Sequence, residues 1–301
     1  MGDTSSKPSP SPRSPSKPSP PPPPPPSPTF RDPWRKISWG DKERDLQYVR
    51  NYQPENTDVK HLRILLYGPV GAGKSSFISS VVSTVRGRLS VTAEASATIS
   101  NTSHSKKYET HRIQKESRGN FYPFVFNDIM GLEEGTGCGV RVEDIKLALK
   151  GHVKEGYKFN PASPLSDRDP GYISSPSADD KVHLLVCVCS ANASEIKDSV
   201  MQKMKEIREA ASDLGIPQVA IVTKVDEACD ETQKDLKNVY KSKYLKKKIT
   251  DFSARLGIPL NCIFAVKNYS SETYLDEDVN TLMLNALRLM IDFGDDFINK
   301  V

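Results

Sequence analysis

Gly68-Pro69-Val70-Gly71-Ala72-Gly73-Lys74-Ser75-Ser76 sets a glycine, four residues and then Gly-Lys-Ser in a single run. In that spacing the glycines let the backbone curl around an anion, with successive N–H groups turned inward. Lys74 then reaches the β and γ phosphates, and the Ser75 hydroxyl offers a ligand to Mg²⁺. A run this short takes its meaning from its flanks. His61-Leu-Arg-Ile-Leu-Leu-Tyr67 is a strand-like apolar stretch ahead of it, and Phe77, Val81 and Val85 fall at helical spacing behind it. Strand, loop and helix in that order predict a cradle for a nucleoside triphosphate. Its candidate contacts are Gly68, Val70, Gly71, Ala72, Gly73, Lys74, Ser75 and Ser76.

Two later stretches supply the rest of a metal and phosphate site. Phe121-Tyr-Pro-Phe-Val-Phe126 runs into Asn127-Asp128-Ile-Met-Gly131. An acid at the end of a strand beside the loop strand holds Mg²⁺ through water, and a glycine three residues on offers its N–H to the γ phosphate. Residues 90–105 are rich in Ser, Thr and Ala with little periodicity, as a mobile switch would be; Thr102 is the expected second hydroxyl ligand, with Thr98 next. The expected metal set is therefore Ser75, Thr102 and Asp128. Leu132-Glu-Glu-Gly-Thr-Gly-Cys-Gly139 is glycine-rich and acidic, and reads as a second switch. Ras-type proteins orient the attacking water with a glutamine just after this glycine. Here Leu132 and Glu133 stand instead, so hydrolysis is expected to be weak, with Glu133 as a partial substitute and the catalytic candidate.

The base is read elsewhere. Val219-Ala-Ile-Val222 leads into Thr223-Lys224-Val225-Asp226. An aspartate there accepts hydrogen bonds from guanine N1–H and the exocyclic amine, whereas adenine would leave the carboxylate unpaired at a cost of about 1.5–3 kcal/mol. Lys224 lays its apolar stem along the base. Guanine proteins usually carry Asn at the first position; Thr223 keeps a hydroxyl for bracing the loops and loses the amide. Lys267 and Asn268, after the apolar stretch 260–266, sit where a last loop would brace the base.

Around these motifs apolar runs and helical patterns alternate. Val182-His-Leu-Leu-Val-Cys-Val-Cys189 reads as a central strand covered on both faces, with Cys187 and Cys189 as core thiols. Helices are expected over 142–153, 195–214 and 276–298, and 157–181 is a Pro, Ser and Asp-rich excursion. The expected fold is α/β, a P-loop NTPase of G-domain type: a doubly wound, mostly parallel sheet with helices on both faces and the nucleotide at the strand carboxyl ends. The expected organisation is a disordered Pro/Ser-rich tail at 1–29, a linker and docking segment at 30–60 with a short helix at 41–51, and a GTP-binding domain at 61–301. Pro-x-x-P spacings near Lys7, Arg13 and Lys17 fit an SH3-type groove, and equally a plain spacer.

The 301 residues carry a formal charge of +4, which argues against a nucleic-acid partner. No apolar run is long enough for a transmembrane segment, and no charged-then-apolar leader is evident. Five cysteines without a Cys-x-x-Cys pair suggest reduced thiols and a cytoplasmic location.

Leu65-Leu-Tyr-Gly-Pro-Val-Gly-Ala-Gly-Lys-Ser-Ser-Phe77, Asp128-Ile-Met-Gly-Leu-Glu133, Tyr157-Lys-Phe-Asn-Pro161, Asn268-Tyr-Ser-Ser-Glu272 and Ala286-Leu-Arg-Leu-Met290 occur together. As a set they resemble the GTPase domain of the interferon-induced protein 44 and 44-like family, over roughly residues 40–301. The resemblance implies a cytoplasmic protein of interferon-stimulated antiviral responses that binds GTP or GDP with Mg²⁺. Familiar members carry a folded region ahead of this domain, where this chain has its proline tether. Three activities follow as expectations: a switch or assembly protein with slow hydrolysis, self-associating to form homo-oligomers; a nucleotide-binding scaffold without turnover; and an ATP-using enzyme, against which Asp226 argues.

Overall fold

The computed structural model describes residues 27–90, 106–117, 119–135, 137–193 and 196–300. Six strands form one sheet: β1 (Leu62–Tyr67), β2 (Glu109–Gln114), β3 (Phe121–Asp128), β4 (Leu184–Ser190), β5 (Gln218–Thr223) and β6 (Ile263–Ala265). Their order is β2-β3-β1-β4-β5-β6, parallel throughout except for β2, which pairs antiparallel with β3. Every residue of β4 from Leu184 to Cys189 is buried, which a strand achieves only when helices cover both faces. Burial pushes the Cys187 thiol up to about 12, so it stays protonated in the core. Registers such as Leu65 with Asn127, Leu66 with Val186 and Val222 with Ala265 bring the carboxyl ends of the parallel strands to one rim.

The helices are α1 (Lys42–Asn51), α2 (Lys74–Arg86), α3 (Val142–Leu149), α4 (Asp198–Asp213), α5 (Val225–Ala228), α6 (Asp230–Lys234), α7 (Lys243–Leu256) and α8 (Glu277–Ile298). On one face α2 packs with α8 and α1 lies on α8; on the other α3 meets α4 and α4 meets α7. α8 opens on Asp276, whose carboxylate accepts from the N–H groups of Asp278 and Val279, both at 2.9 Å. Three elements are shorter than the patterning predicts. α3 stops at Leu149, because the chain leaves there for the excursion that returns at β4. A 3₁₀ turn occupies Leu260–Cys262, leaving β6 three residues. α4 is described from Asp198 onward, residues 194–195 lying outside the described set.

Residues ahead of the sheet lie along its β6 edge. Phe30 N–H donates to the Lys241 carbonyl at 2.8 Å and Trp34 N–H to that of Tyr240 at 2.9 Å. The Trp34 ring meets Tyr240 edge-on at 4.9 Å, and the Arg35 guanidinium donates to the carbonyls of Leu260 and Ile263. α1 is tied to α8 by Asp45 and Arg288 at 2.9 Å. Most of the expected proline tail, residues 1–26, lies outside the described residues. No helix among the described residues is long and apolar enough to cross a membrane.

α8 lies close against β1 at Gly294, where an added Cβ would stand 2.4 Å from Leu62 Cδ1. Gly294→Ala should therefore overpack this contact and destabilise the fold by about 1–3 kcal/mol. Urea unfolding gives the value, and an unchanged midpoint would mean that α8 is free to shift outward.

Candidate nucleotide-binding site

β1 ends by delivering the chain to Gly68, where φ is 148° and a Cβ would stand 2.0 Å from the Val188 carbonyl oxygen. No other residue fits there. The loop closes at Gly73, the N-cap of α2, in the left-handed region with φ 89°. Gly71 and Ala72 form the crown between them, and Ser75 and Ser76 stand in the first turn of α2, a helix N-terminus of the kind that suits an anion. The Lys74 ammonium is buried, 3.4 Å from the carbonyl oxygens of Gly68 and Pro69. Burial depresses its pKa, and the Asp128 carboxylate works in the opposite direction. A buried ammonium curled back on its own loop is well placed to take an anion.

Asp128 is fully buried at the end of β3. Its carboxylate accepts from the Ser75 hydroxyl and from Ile129 N–H at 3.0 Å, so two of the three expected metal residues already touch. The third, Thr102, and its alternative Thr98 lie outside the described residues. Gly131 stands so close to Val70 that a Cβ would lie 2.6 Å from Val70 Cγ2 and 2.9 Å from Val70 N. Beyond it the chain is laced to the loop: Leu132 N–H donates to the Gly68 carbonyl at 3.0 Å, Val70 N–H to that of Leu132 at 3.2 Å, and Val140 N–H to that of Gly131 at 3.2 Å. This ladder turns the Leu132 side chain inward, leaving it 2 % exposed. Glu133 is half-buried, and its carbonyl accepts from the Lys203 ammonium at 2.8 Å, as does that of Gly135 at 2.9 Å. Beside the loop opens a cleft of about 610 Å³ lined by Val70, Glu133, Glu134, Asn192, Lys197 and Lys224.

On the base side, Thr223 is fully buried, and its hydroxyl lies 2.7 Å from the Ala72 carbonyl and 3.2 Å from that of Cys189. Lys224, at φ 56°, is the one non-glycine residue with positive φ among the described residues; it turns the chain from β5 into α5, on which Asp226 sits half-buried. The Asp226 carboxylate is 3.8 Å from the Lys267 ammonium, which is held at 2.8 Å by Glu272. Glu272 also accepts from Ser270 N–H at 2.7 Å and Ser271 N–H at 3.1 Å. Asn268 donates its amide N–H to the Gly73 carbonyl at 3.2 Å and keeps Oδ1 buried with no hydrogen-bond partner among the described residues. Tyr269 ties this loop to α2 through its N–H, 2.9 Å from Ser80 Oγ.

Glycine cradle, buried lysine, Ser75–Asp128 pair and Asp226 thus share one rim, and the set fits a nucleoside triphosphate with Mg²⁺, a cation that needs few protein ligands. Lys203 escapes a reading of motifs, and so does the role of Glu272, although that residue closes the run from Asn268. A lysine inside a charged amphipathic helix carries no signature, whereas Glu272 is marked weakly by the two serines whose backbone it caps.

Burial opposes the Lys267 charge, but Glu272 and Asp226 outweigh it and hold the pKa above the ordinary lysine value. Burial likewise opposes the Glu272 charge, and Lys267 with the Ser270 N–H outweighs it and holds the carboxyl below its ordinary value. A depressed carboxyl contributes stability above its unfolded pKa and loses it as pH falls through the folded pKa. With the two side chains 28 % and 20 % exposed, Glu272→Gln should destabilise by about 0.5–1 kcal/mol at neutral pH. The difference should vanish in acid below the depressed Glu272 pKa. Urea midpoints of both proteins across the acid range check this, and a pH-independent gap would remove the charge from the account.

No protein-family model matches the chain. Curated relatives do: interferon-induced protein 44 of Homo sapiens is 37% identical over 257 residues, 85% of this chain and 57% of its own length. The Pan troglodytes protein of that name gives the same figures, 37%, 257 residues, 85% and 57%. Interferon-induced protein 44-like of Homo sapiens is 34% identical over 261 residues, 86% of this chain and 57% of its own. Among solved structures, a dimerization-deficient mutant of Toc33 from Arabidopsis thaliana aligns over 86% of this chain and 96% of its own, with TM-score 0.48 and 13% identity. Toc33 in complex with GDP and Mg²⁺ aligns over 85% and 92%, with TM-score 0.47 and 12% identity. The fold class rests on the strand order and the loop, not on that likeness. The chain spans a little over half the length of the curated relatives it matches, and over that stretch it is 34–37% identical to proteins of the interferon-induced protein 44 and 44-like family.

Proposed function

We propose that this chain is a guanine-nucleotide switch or assembly protein of interferon-induced antiviral responses, cytoplasmic and slow in hydrolysis when alone. The observation that carries the reading is the meeting, at one end of the sheet, of buried Lys74, the Ser75–Asp128 pair and half-buried Asp226. GTP bound here together with Mg²⁺ would bring the triphosphate and the cation that these residues would hold. Lys74 and the N–H groups of the loop compensate the phosphate charge, while the Ser75 hydroxyl and Asp128 serve the cation. Asp226 selects guanine by accepting from N1–H and the exocyclic amine, and Lys224 supplies its stem to the base. At 3.8 Å the Lys267 ammonium is a loose partner for Asp226, consistent with a carboxylate that exchanges it for the base. The familial names support the interferon-induced setting.

Asp226→Asn should weaken GTP binding and relax the preference over XTP, because the new amide donates to the oxygen that replaces the exocyclic amine. Calorimetry with both nucleotides tests it, and an unchanged preference would remove Asp226 from base reading.

A nucleotide-binding scaffold without turnover is the second reading, and buried Leu132 favours it. Its inward side chain cannot orient a water, and positioning is most of this chemistry. If turnover occurs, the missing group comes from a second copy or a partner, reaching the site through the cleft beside Val70. Single-turnover hydrolysis should then be slow in dilute protein and rise with concentration. A concentration-independent rate of about 1 s⁻¹ or faster would mean a complete site within one chain.

A further inference from the structure

We propose that Asn268 supplies, from the loop after β6, the loop-bracing amide that Thr223 lacks. Because it deepens the nucleotide-site reading, the proposal rests on it. In guanine proteins the residue at the Thr223 position is usually asparagine, with an amide as well as an acceptor to tie the loops together. A threonine hydroxyl has one proton. Thr223 faces two carbonyls, Ala72 at 2.7 Å and Cys189 at 3.2 Å, and leaves nothing to spare for the next carbonyl of the loop, that of Gly73. Asn268 Nδ2 meets that carbonyl at 3.2 Å, as a second donor beside the Phe77 N–H of α2 at 2.8 Å. Two successive loop carbonyls are thus held from behind by side chains arriving from two different strands.

The location suits an exchange of roles. A Cβ on Gly73 would stand 2.9 Å from Asn268 Nδ2 and 3.4 Å from Thr223 Oγ1, so the two side chains converge on one residue. Reversing the amide would turn Oδ1 against the Gly73 oxygen; as it stands Oδ1 is buried with no hydrogen-bond partner among the described residues. Asn268 has a firm mount: Val266 N–H donates to the Val222 carbonyl at 2.8 Å, Tyr269 N–H to Ser80 Oγ at 2.9 Å, and the Tyr269 hydroxyl to Asn280 Oδ1 at 2.9 Å.

What the brace does follows from peptide planarity. In a trans peptide the C=O and the next N–H point in opposite directions. Holding the Ala72 and Gly73 carbonyls on the far side therefore aims the N–H groups of Gly73 and Lys74 into the cradle. Asn268 is a positioning residue, acting on phosphate through the loop rather than on the base.

The test is equilibrium titration of the purified chain with GDP and XDP in Mg²⁺, using a fluorescent analogue as reporter. Asn268→Ala and the isosteric Asn268→Asp, which lacks the donor, should each bind GDP about tenfold more weakly, with the GDP to XDP ratio unchanged. Adding Thr223→Asn to Asn268→Ala restores an amide within reach of the vacated space, and should return the affinity to within about threefold of the original chain. Circular dichroism melts check that each variant is folded, and the Asp variant, equal in size, carries the test if the Ala variant is not. Wild-type affinity in a folded Asn268 variant, a shifted GDP to XDP ratio, or no recovery in the folded double variant would each overturn the proposal. A wild-type chain that prefers ADP to GDP would instead sink the guanine reading, and the same three variants would then be compared with ADP.

Discussion

A cradle made of backbone N–H groups has to be held in shape from outside, because the groups that bind the phosphates belong to no side chain. In this molecule the hold begins at Gly68, pressed so tightly on the Val188 carbonyl that no Cβ fits. The contact seats the loop on β4, buried throughout from Leu184 to Cys189. Everything else at the site is referred to that seat. Leu132 pairs with Gly68 and Val70, Thr223 and Asn268 reach the next carbonyls, and Asp128 takes the Ser75 hydroxyl. Distortion of β4 would therefore be felt first at the phosphates.

The parts that could be read from sequence are those whose chemistry is local. Glycines followed by Gly-Lys-Ser can be recognised because the backbone there admits few residue types, and the run from Val182 to Cys189 because a doubly covered strand excludes polar side chains. Asp128 and Asp226 were legible as carboxylates at strand ends. The parts that escaped are defined by partners far along the chain. Lys203 is one lysine among several on α4 until the carbonyls of Glu133 and Gly135 come to meet it. Glu272 gains its meaning from Lys267 and two backbone N–H groups. The excursion after α3 read as a surface loop, yet Lys107 pairs with Lys158, and Tyr108 N–H donates to the Tyr157 carbonyl at 2.8 Å. Backbone pairing of that kind leaves no pattern in side-chain type.

The approach to β2 is thereby fastened. Tyr108, just ahead of the strand, is buried and bonded on both sides, its carbonyl accepting from Gly156 N–H at 2.8 Å. Thr110 N–H donates to the Glu155 carboxylate at 2.9 Å, and Asp144 on α3 accepts from Leu165 N–H at 2.7 Å within the excursion. The excursion thus works as a strut between α3 and the edge of the sheet. It steadies the chain where it enters β2.

The lacing of Leu132 also bears on how this site can change over time. A glutamine at this position in a Ras-type protein faces the reaction, but here the backbone on either side is committed to the loop and the side chain is packed in the core. Replacing leucine by glutamine would bury an amide among apolar neighbours rather than deliver it to a water. One nucleotide change therefore cannot lead back to a Ras-like site. Any gain in turnover has to arrive by remodelling the whole switch, or from a surface outside it.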